Sequence, residues 1–354
     1  MARTPVQDDG SAADQLQRWA PTDPGAVWPP VSKPMAEQVY PAVMIELKDL
    51  TDEPGLSTHL AHIIDALGKS PRIAGVPASI DAVSQRYATA GHVLGDVEQT
   101  LRTERIVLQH AWRGFAGGAL QALLASITAD TARARLMSEL GARTLAKFSA
   151  QLDHAQKLEI DPRSQLSDAA ATVAALPSGA GLDNAEVLAA QQAAESGCNG
   201  LTAARAAATS ALLDARDGLR ARRPPSVTDL LSIDASFEIA GDIVHQVDPS
   251  LIVPESGASA QLSVNQDRVQ ASTTALRNAV GALFALTEEP NYRISTFETA
   301  AFGELTADLS EFQLAEVASL RYVEKRLGHL THAMAAAGID LAVADEASAD
   351  SIRL

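Results

Sequence analysis

Residues 110–120 read HAWRGFAGGAL, and they sit between two long stretches patterned for helix. The segment holds Trp112, with Gly114, Gly117 and Gly118 close behind it. An indole and a cluster of helix breakers at one point mark a reversal of chain direction. On either side the apolar residues recur at helical spacing. Upstream, Ile80, Val83, Tyr87, Ala90, Leu94, Val97, Leu101 and Leu108 alternate three- and four-residue steps. That is an a/d heptad seam, interrupted where Glu104 takes a d position. Downstream, Leu120, Leu124, Ile127, Thr131, Ala134, Ser138, Gly141, Leu145, Phe148, Leu152 and Ala155 form a second seam, bulky at its ends and small in its middle. A small-residue centre lets a partner helix approach closely. Two helices of similar length joined by a few residues fold back as an antiparallel hairpin.

Composition agrees with this pattern. Of 354 residues, 46% are hydrophobic and only 4% aromatic, so the core is aliphatic and rich in alanine, the best helix former. The expected fold class is all-α: elongated helical hairpins or bundle, with connecting helices. The formal charge of −16 repels phosphate backbones, which argues against nucleic-acid binding. The single cysteine, Cys198, excludes an intrachain disulfide and a cysteine-based metal site, and is expected to pack as a small apolar group. The first 25 residues lack the apolar core of a secretory signal, and no stretch reaches the length of a membrane span.

Along the chain, residues 1–56 are rich in Pro, Asp, Gly and Ser and read as a disordered or loosely ordered leader. Within them YPAVMIELKDL, at 40–50, fits a short strand or a helical turn equally. A short amphipathic helix follows at 57–69, with Ser57 or Thr58 as N-cap and Gly68 as its stop. The long hairpin and an alanine-rich helix over about 185–222 complete a domain at 57–222. Pro224-Pro225 ends that helix. Residues 223–261 read as a linker with a short helix, and 262–354 as a second hairpin. Its seams are Val269, Leu276, Val280 and Leu283, then Leu305, Leu309, Phe312, Leu320, Val323, Leu327, Leu330 and Met334.

Chemistry-bearing patterns are scarce. His59 and His62, and again His329 and His332, are three apart, but neither pair has a third ligand at a recognisable spacing. There is no phosphate-binding Gly-Lys loop, nucleophile elbow or His-Glu-x-x-His helix. No cofactor, metal or catalytic residue is expected, and the chain is read as no enzyme.

The corner Ala111-Trp112-Arg113-Gly114-Phe115-Ala116 resembles the Trp-x-Gly turn of the WXG superfamily, the helical-hairpin substrates of type VII (ESX) secretion systems. The resemblance covers about 78–160, and the longer helices to 222 are similar to extended WXG-like domains. Residues 262–354 resemble the EspC-type ESX secretion-associated proteins in their order: an opening LSVNQDRV, a helix, a central AFGEL with Phe302-Gly303 in the turn position, a long helix and a closing LTHAMAAAGIDLAVADEASADSI. The families carry a Tyr-x-x-x-Asp/Glu motif past the second helix. Here Leu341-Ala-Val-Ala-Asp345 fills those slots, with Leu in place of Tyr.

The resemblance implies a non-enzymatic secretion substrate or secretion-associated protein. Trp112, Gly114, Leu341 and Asp345 would form the export or partner motif, and Gly117, Gly118, Phe302 and Gly303 the hairpin turns. It implies a WXG-like partner or pairing of the two hairpins with each other as a four-helix bundle. It also implies contact with the secretion machinery, and export by a signal-peptide-independent route. The alternatives are an oligomeric pore or lipid-surface helical protein, which the acidic charge disfavours on anionic membranes, and a cytoplasmic coiled-coil adaptor.

Overall fold

The structure, a computed structural model, describes residues 11–18, 39–51, 55–113, 115–177, 180–220, 263–288 and 303–352. The fold is all-α. In chain order the helices are α1 (Ala12–Arg18), α2 (Tyr40–Lys48), α3 (Leu56–Lys69), α4 (Pro77–Ala111), α5 (Phe115–Leu158), α6 (Ile160–Ala175), α7 (Ala185–Arg220), α8 (Gln266–Glu288) and α9 (Gly303–Ile352). Two short strands, β1 (Trp112–Arg113) and β2 (Ser263–Val264), pair antiparallel. The expected helix near 226–246, and most of the leader, lie outside the described residues.

The chain divides into two compact units that do not follow chain order. One comprises 1–81, 145–217 and 297–307; the other comprises 82–144, 218–296 and 308–354. The expected domains 57–222 and 262–354 are thus cut differently: 82–144 groups with the C-terminal helices and not with α6 and the body of α7.

In the first unit, parts of the segment read as a loosely ordered leader are packed helix. Tyr40, Val43 and Leu47 of α2 are buried at i, i+3 and i+7, beside Leu60, Ile63, Ile64 and Leu67 of α3. Pro41 sits in the first turn of α2, where its missing N–H costs nothing. Hydrophobic spacing therefore outweighs the polar, proline-rich surroundings. Gly68 does not stop α3, which runs one residue further to Lys69. Ser70 then caps it, its hydroxyl donating to the Leu67 carbonyl at 2.6 Å.

A buried ionic cluster closes this unit. Arg205 is only 2% exposed, and its Nη2 donates to Glu159 Oε1 at 3.2 Å while its guanidinium lies over the Tyr40 ring. Arg163 donates to the same Glu159 oxygen at 2.6 Å, and to the carbonyls of Gly68, Ser70 and Pro71. The remaining Glu159 oxygen accepts the Ile73 backbone N–H at 3.0 Å. One carboxylate and the carbonyl end of α3 thus offset two guanidinium charges away from water.

In the second unit, α4 and α5 run antiparallel. Ser84 donates to the Ala142 carbonyl at 2.8 Å, Arg135 to Glu98 at 2.9 Å, and Gln121 to the Arg105 carbonyl at 3.1 Å. Sequence numbers rise on one helix as they fall on the other. Within this unit the apolar seam residues Val83, Tyr87, Ala90, Leu94, Val97, Leu101 and Leu108 are buried, as are the seam positions from Leu120 to Gly141; Glu104 is only partly buried. One apolar core then joins four helices. It takes Leu94, Val97 and Leu101 from α4, Leu124 and Ile127 from α5, Leu276 and Leu283 from α8, and Leu320, Val323 and Leu327 from α9.

Candidate functional site

The strongest local feature of the sequence, the tryptophan corner, is built by two backbone devices. First, α4 ends at Ala111 and the chain extends for two residues. Trp112 lies opposite Val264 and Arg113 opposite Ser263 in the β1–β2 ladder. Asn265 prolongs the pairing, its N–H donating to the Ala111 carbonyl at 2.7 Å, and its side chain then caps α8 by accepting the Arg268 N–H at 3.1 Å. The corner is therefore tied to the residues that open α8. Second, α5 starts directly over the corner. A Cβ at Gly117 would stand 2.3 Å from the Trp112 carbonyl oxygen, so only glycine permits this approach.

Trp112 itself is half-buried and packs against the four-helix core beside Val264 and Leu123. Its indole Nε1 is buried and has no acceptor among the described residues. Gly118 is exposed and faces open space, so its side of the helix makes no demand for glycine. Gly114 lies outside the described residues.

The second half of the site is the small-residue centre of α5. Phe312 of α9 fills it. A Cβ on Gly141 would meet Phe312 Cε1 at 2.8 Å and Tyr87 Cδ1 at 3.2 Å, and the two rings meet edge to face with centroids 5.5 Å apart. One turn along, the Ser138 hydroxyl donates to Glu316 Oε1 at 2.5 Å, both groups fully buried. Burial, reinforced by the Glu316 charge, holds the Tyr87 phenol well above its ordinary range. Further along, Arg326 pairs with Asp130 and donates to the Ser126 hydroxyl. At the other end Arg220 pairs with the buried Asp308 at 2.7 Å. Helix α9 is thus seated by a row of polar and aromatic contacts as well as by its apolar seam.

The expected turn at Phe302-Gly303 falls at the edge of the described residues, where Gly303 opens α9. The end of α8 lies level with the middle of α9: Thr287 donates to Glu324 at 3.4 Å. Gly303 opens α9 roughly 30 Å before that point at the helical rise. The first turns of α9 pack on α4 and α5 through Phe312 and Glu316, and on the last turn of α7 through Asp308. Phe302 lies outside the described residues. Leu341 and Asp345 fall inside α9, which stays helical to Ile352, so the motif slots are part of the helix and not a tail beyond it. Their side chains are outside the described set.

Sequence reasoning missed the β1–β2 ladder, the Gly141–Phe312–Tyr87 contact and the Glu159–Arg163–Arg205 cluster. Only the first left a signal, the small middle of the α5 seam aside: LSVN precedes a helix much as AWR follows one. Cys198 is buried as expected. Burial pushes its thiol up to about 12, and its Sγ lies 3.5 Å from the Tyr40 carbonyl. His59 and His62 each face a carboxylate, Glu46 at 3.1 Å and Asp14 at 3.0 Å. Among the described residues no group of three or more metal-ligating side chains converges, and no helix is long and apolar enough to cross a membrane.

The fold and these contacts define an all-α helical-bundle protein. No family model matches the chain, and neither a curated protein nor a solved structure matches it.

Proposed function

We propose that this chain is a non-enzymatic substrate or secretion-associated protein of a type VII (ESX) secretion system, acting through helix–helix pairing and export targeting. The observation that carries the proposal is Trp112 at the reversal of a long antiparallel hairpin, directly followed by the close approach at Gly117. The core shared by α4, α5, α8 and α9 supports it further, because paired hairpins are the form in which WXG-like proteins act. On this proposal the C-terminal hairpin takes the partner's place within one chain, and the end of α9, with Leu341 and Asp345, is presented to the machinery.

The test separates recognition from folding. Trp112→Phe keeps an apolar ring at the corner and removes the indole N–H, which has no hydrogen-bond partner among the described residues, along with part of the ring's bulk. Its thermal stability should stay near the parent value while the exported fraction falls several-fold. Export of Trp112→Phe at the parental level, with Trp112→Ala lowering export only in step with loss of helicity, would reduce Trp112 to a structural cap.

A further inference from the structure

Within the second unit, α9 outruns the helices it packs against. It lies antiparallel to α5: Phe312 meets Gly141, Glu316 meets Ser138, and Arg326 meets Asp130 and Ser126. Beside α8, Glu324 meets Thr287. Counted at the helical rise from the last of these contacts, α9 draws level with the openings of α5 and α8 at roughly residues 340–345. It stays helical to Ile352. About 10–20 Å of helix therefore extends past the tryptophan corner.

That extension is acidic. Residues 340–352 hold Asp340, Asp345, Glu346 and Asp350, and no Lys or Arg. Val343, Glu346, Ala347 and Asp350 take positions i, i+3, i+4 and i+7 of one stripe, small apolar residues alternating with carboxylates. The neighbouring end of α4 carries the opposite pattern. Arg102, Arg105, Ile106 and Gln109 occupy the same four positions of a stripe, and all four are exposed, Ile106 by 61%. Arg113 is exposed just beyond them. The acids that could cancel this charge are few. Glu98 is buried between Arg102 and Arg135, Glu104 is partly buried, and α5 has no charged residue from Phe115 to Ala129. Asp267 and Arg268 stand side by side in the first turn of α8. In a chain of formal charge −16, this end of α4 is locally basic around an exposed isoleucine.

We propose that the α4 stripe docks the acidic end of α9 from a second copy of the chain, so that two copies pair reciprocally, corner to corner. The chain's own α9 end stands beyond the corner while the stripe lies before it, so the two halves meet between copies. Their lengths match: 102–113 covers roughly 15 Å, much like the extension. Carboxylates meet guanidinium groups along the flanks, and Ile106 meets the Val343 and Ala347 positions between them. The two contacts together lie at or below about 1,200 Å², the class of weak pairing. Exposed ion pairs add little apiece, and the like net charges of two copies oppose association, so the dimer forms in the micromolar range or above. The pairing rests on charge and helix register and does not depend on export.

Sedimentation of the full chain over about 1–200 μM tests this. The parent should pass reversibly from monomer to dimer. Arg105→Glu with Gln109→Glu makes the stripe acidic; Glu346→Lys with Asp350→Lys makes the helix end basic. Both variants should keep parental helicity, and each alone should raise the dissociation constant about tenfold or more. Mixed in equal amounts they should pair as tightly as the parent, because both contacts of the mixed dimer are complementary again. A parent that stays monomeric throughout, a dimer that either variant leaves unchanged, or a mixture that does not recover would overturn the proposal.

Discussion

Gly141→Ala is the substitution whose outcome depends most sharply on the packing described. In a solvent-facing helix, replacing glycine by alanine stabilises by about 0.5–1 kcal/mol through backbone entropy. At 141 the new methyl would stand 2.8 Å from Phe312 Cε1 and 3.2 Å from both Phe312 Cζ and Tyr87 Cδ1. A ring edge can move when there is room. Here Phe312 is 3% exposed and braced against Tyr87, so the strain is shared by two buried rings. Overpacking of this kind costs about 1–3 kcal/mol. The net expectation is a loss of about 1 kcal/mol, read as a lower urea midpoint with an unchanged slope. The decisive step is the cycle with Phe312→Leu, which removes the ring edge. In that background Gly141→Ala should be neutral or stabilising, giving a coupling of about 1–3 kcal/mol. If Gly141→Ala stabilises the parent chain by its full helix propensity, α9 does not seat Phe312 on Gly141 and the packing is wrong.

Other substitutions follow from the same contacts. Gly117→Ala meets a backbone carbonyl and should destabilise by about 1–3 kcal/mol, whereas Gly118→Ala, with open space around it, should stabilise by up to about 1 kcal/mol; thermal melts of the pair decide. Glu159→Gln removes the charge between Arg163 and Arg205 and should cost about 3–5 kcal/mol in chemical denaturation, while a loss below about 1 kcal/mol would mean water reaches the cluster. Cys198 should resist a thiol reagent until the chain unfolds. Because its folded pKa is raised to about 12, the stability it contributes is complete below the unfolded thiol value, near 8.5, and falls as the pH rises from there toward 12. Cys198→Ala should flatten that alkaline decline.

How much of this could be read from the sequence differs by feature. The seams of α4 and α5 were legible to the residue, since a buried stripe on a long helix imposes its own period and the apolar a/d residues from Ile80 to Leu108 are all buried. For α2 the residues Tyr40, Val43 and Leu47 carry the helical period, yet nine residues hold too few repeats to tell it from a strand. The β1–β2 ladder is two residues long, below the length at which alternation exists. Contacts such as Phe312 on Gly141, or Arg205 on Glu159, join positions far apart in the chain. They depend on how helices are arranged in space, which a periodicity does not encode. For the same reason the offset between α8 and α9 was invisible: each helix was recognisable, and their relative register was not.

The central claim is export by a type VII route, and the most direct measurement is the amount of this chain outside the cell in its own host, with and without the secretion ATPase. The expected result is chain in the culture filtrate of the parent strain, its loss from the filtrate when the ATPase is deleted, and intracellular accumulation in its place. Equal amounts outside the cell in both strains, or none outside in the parent, would contradict it.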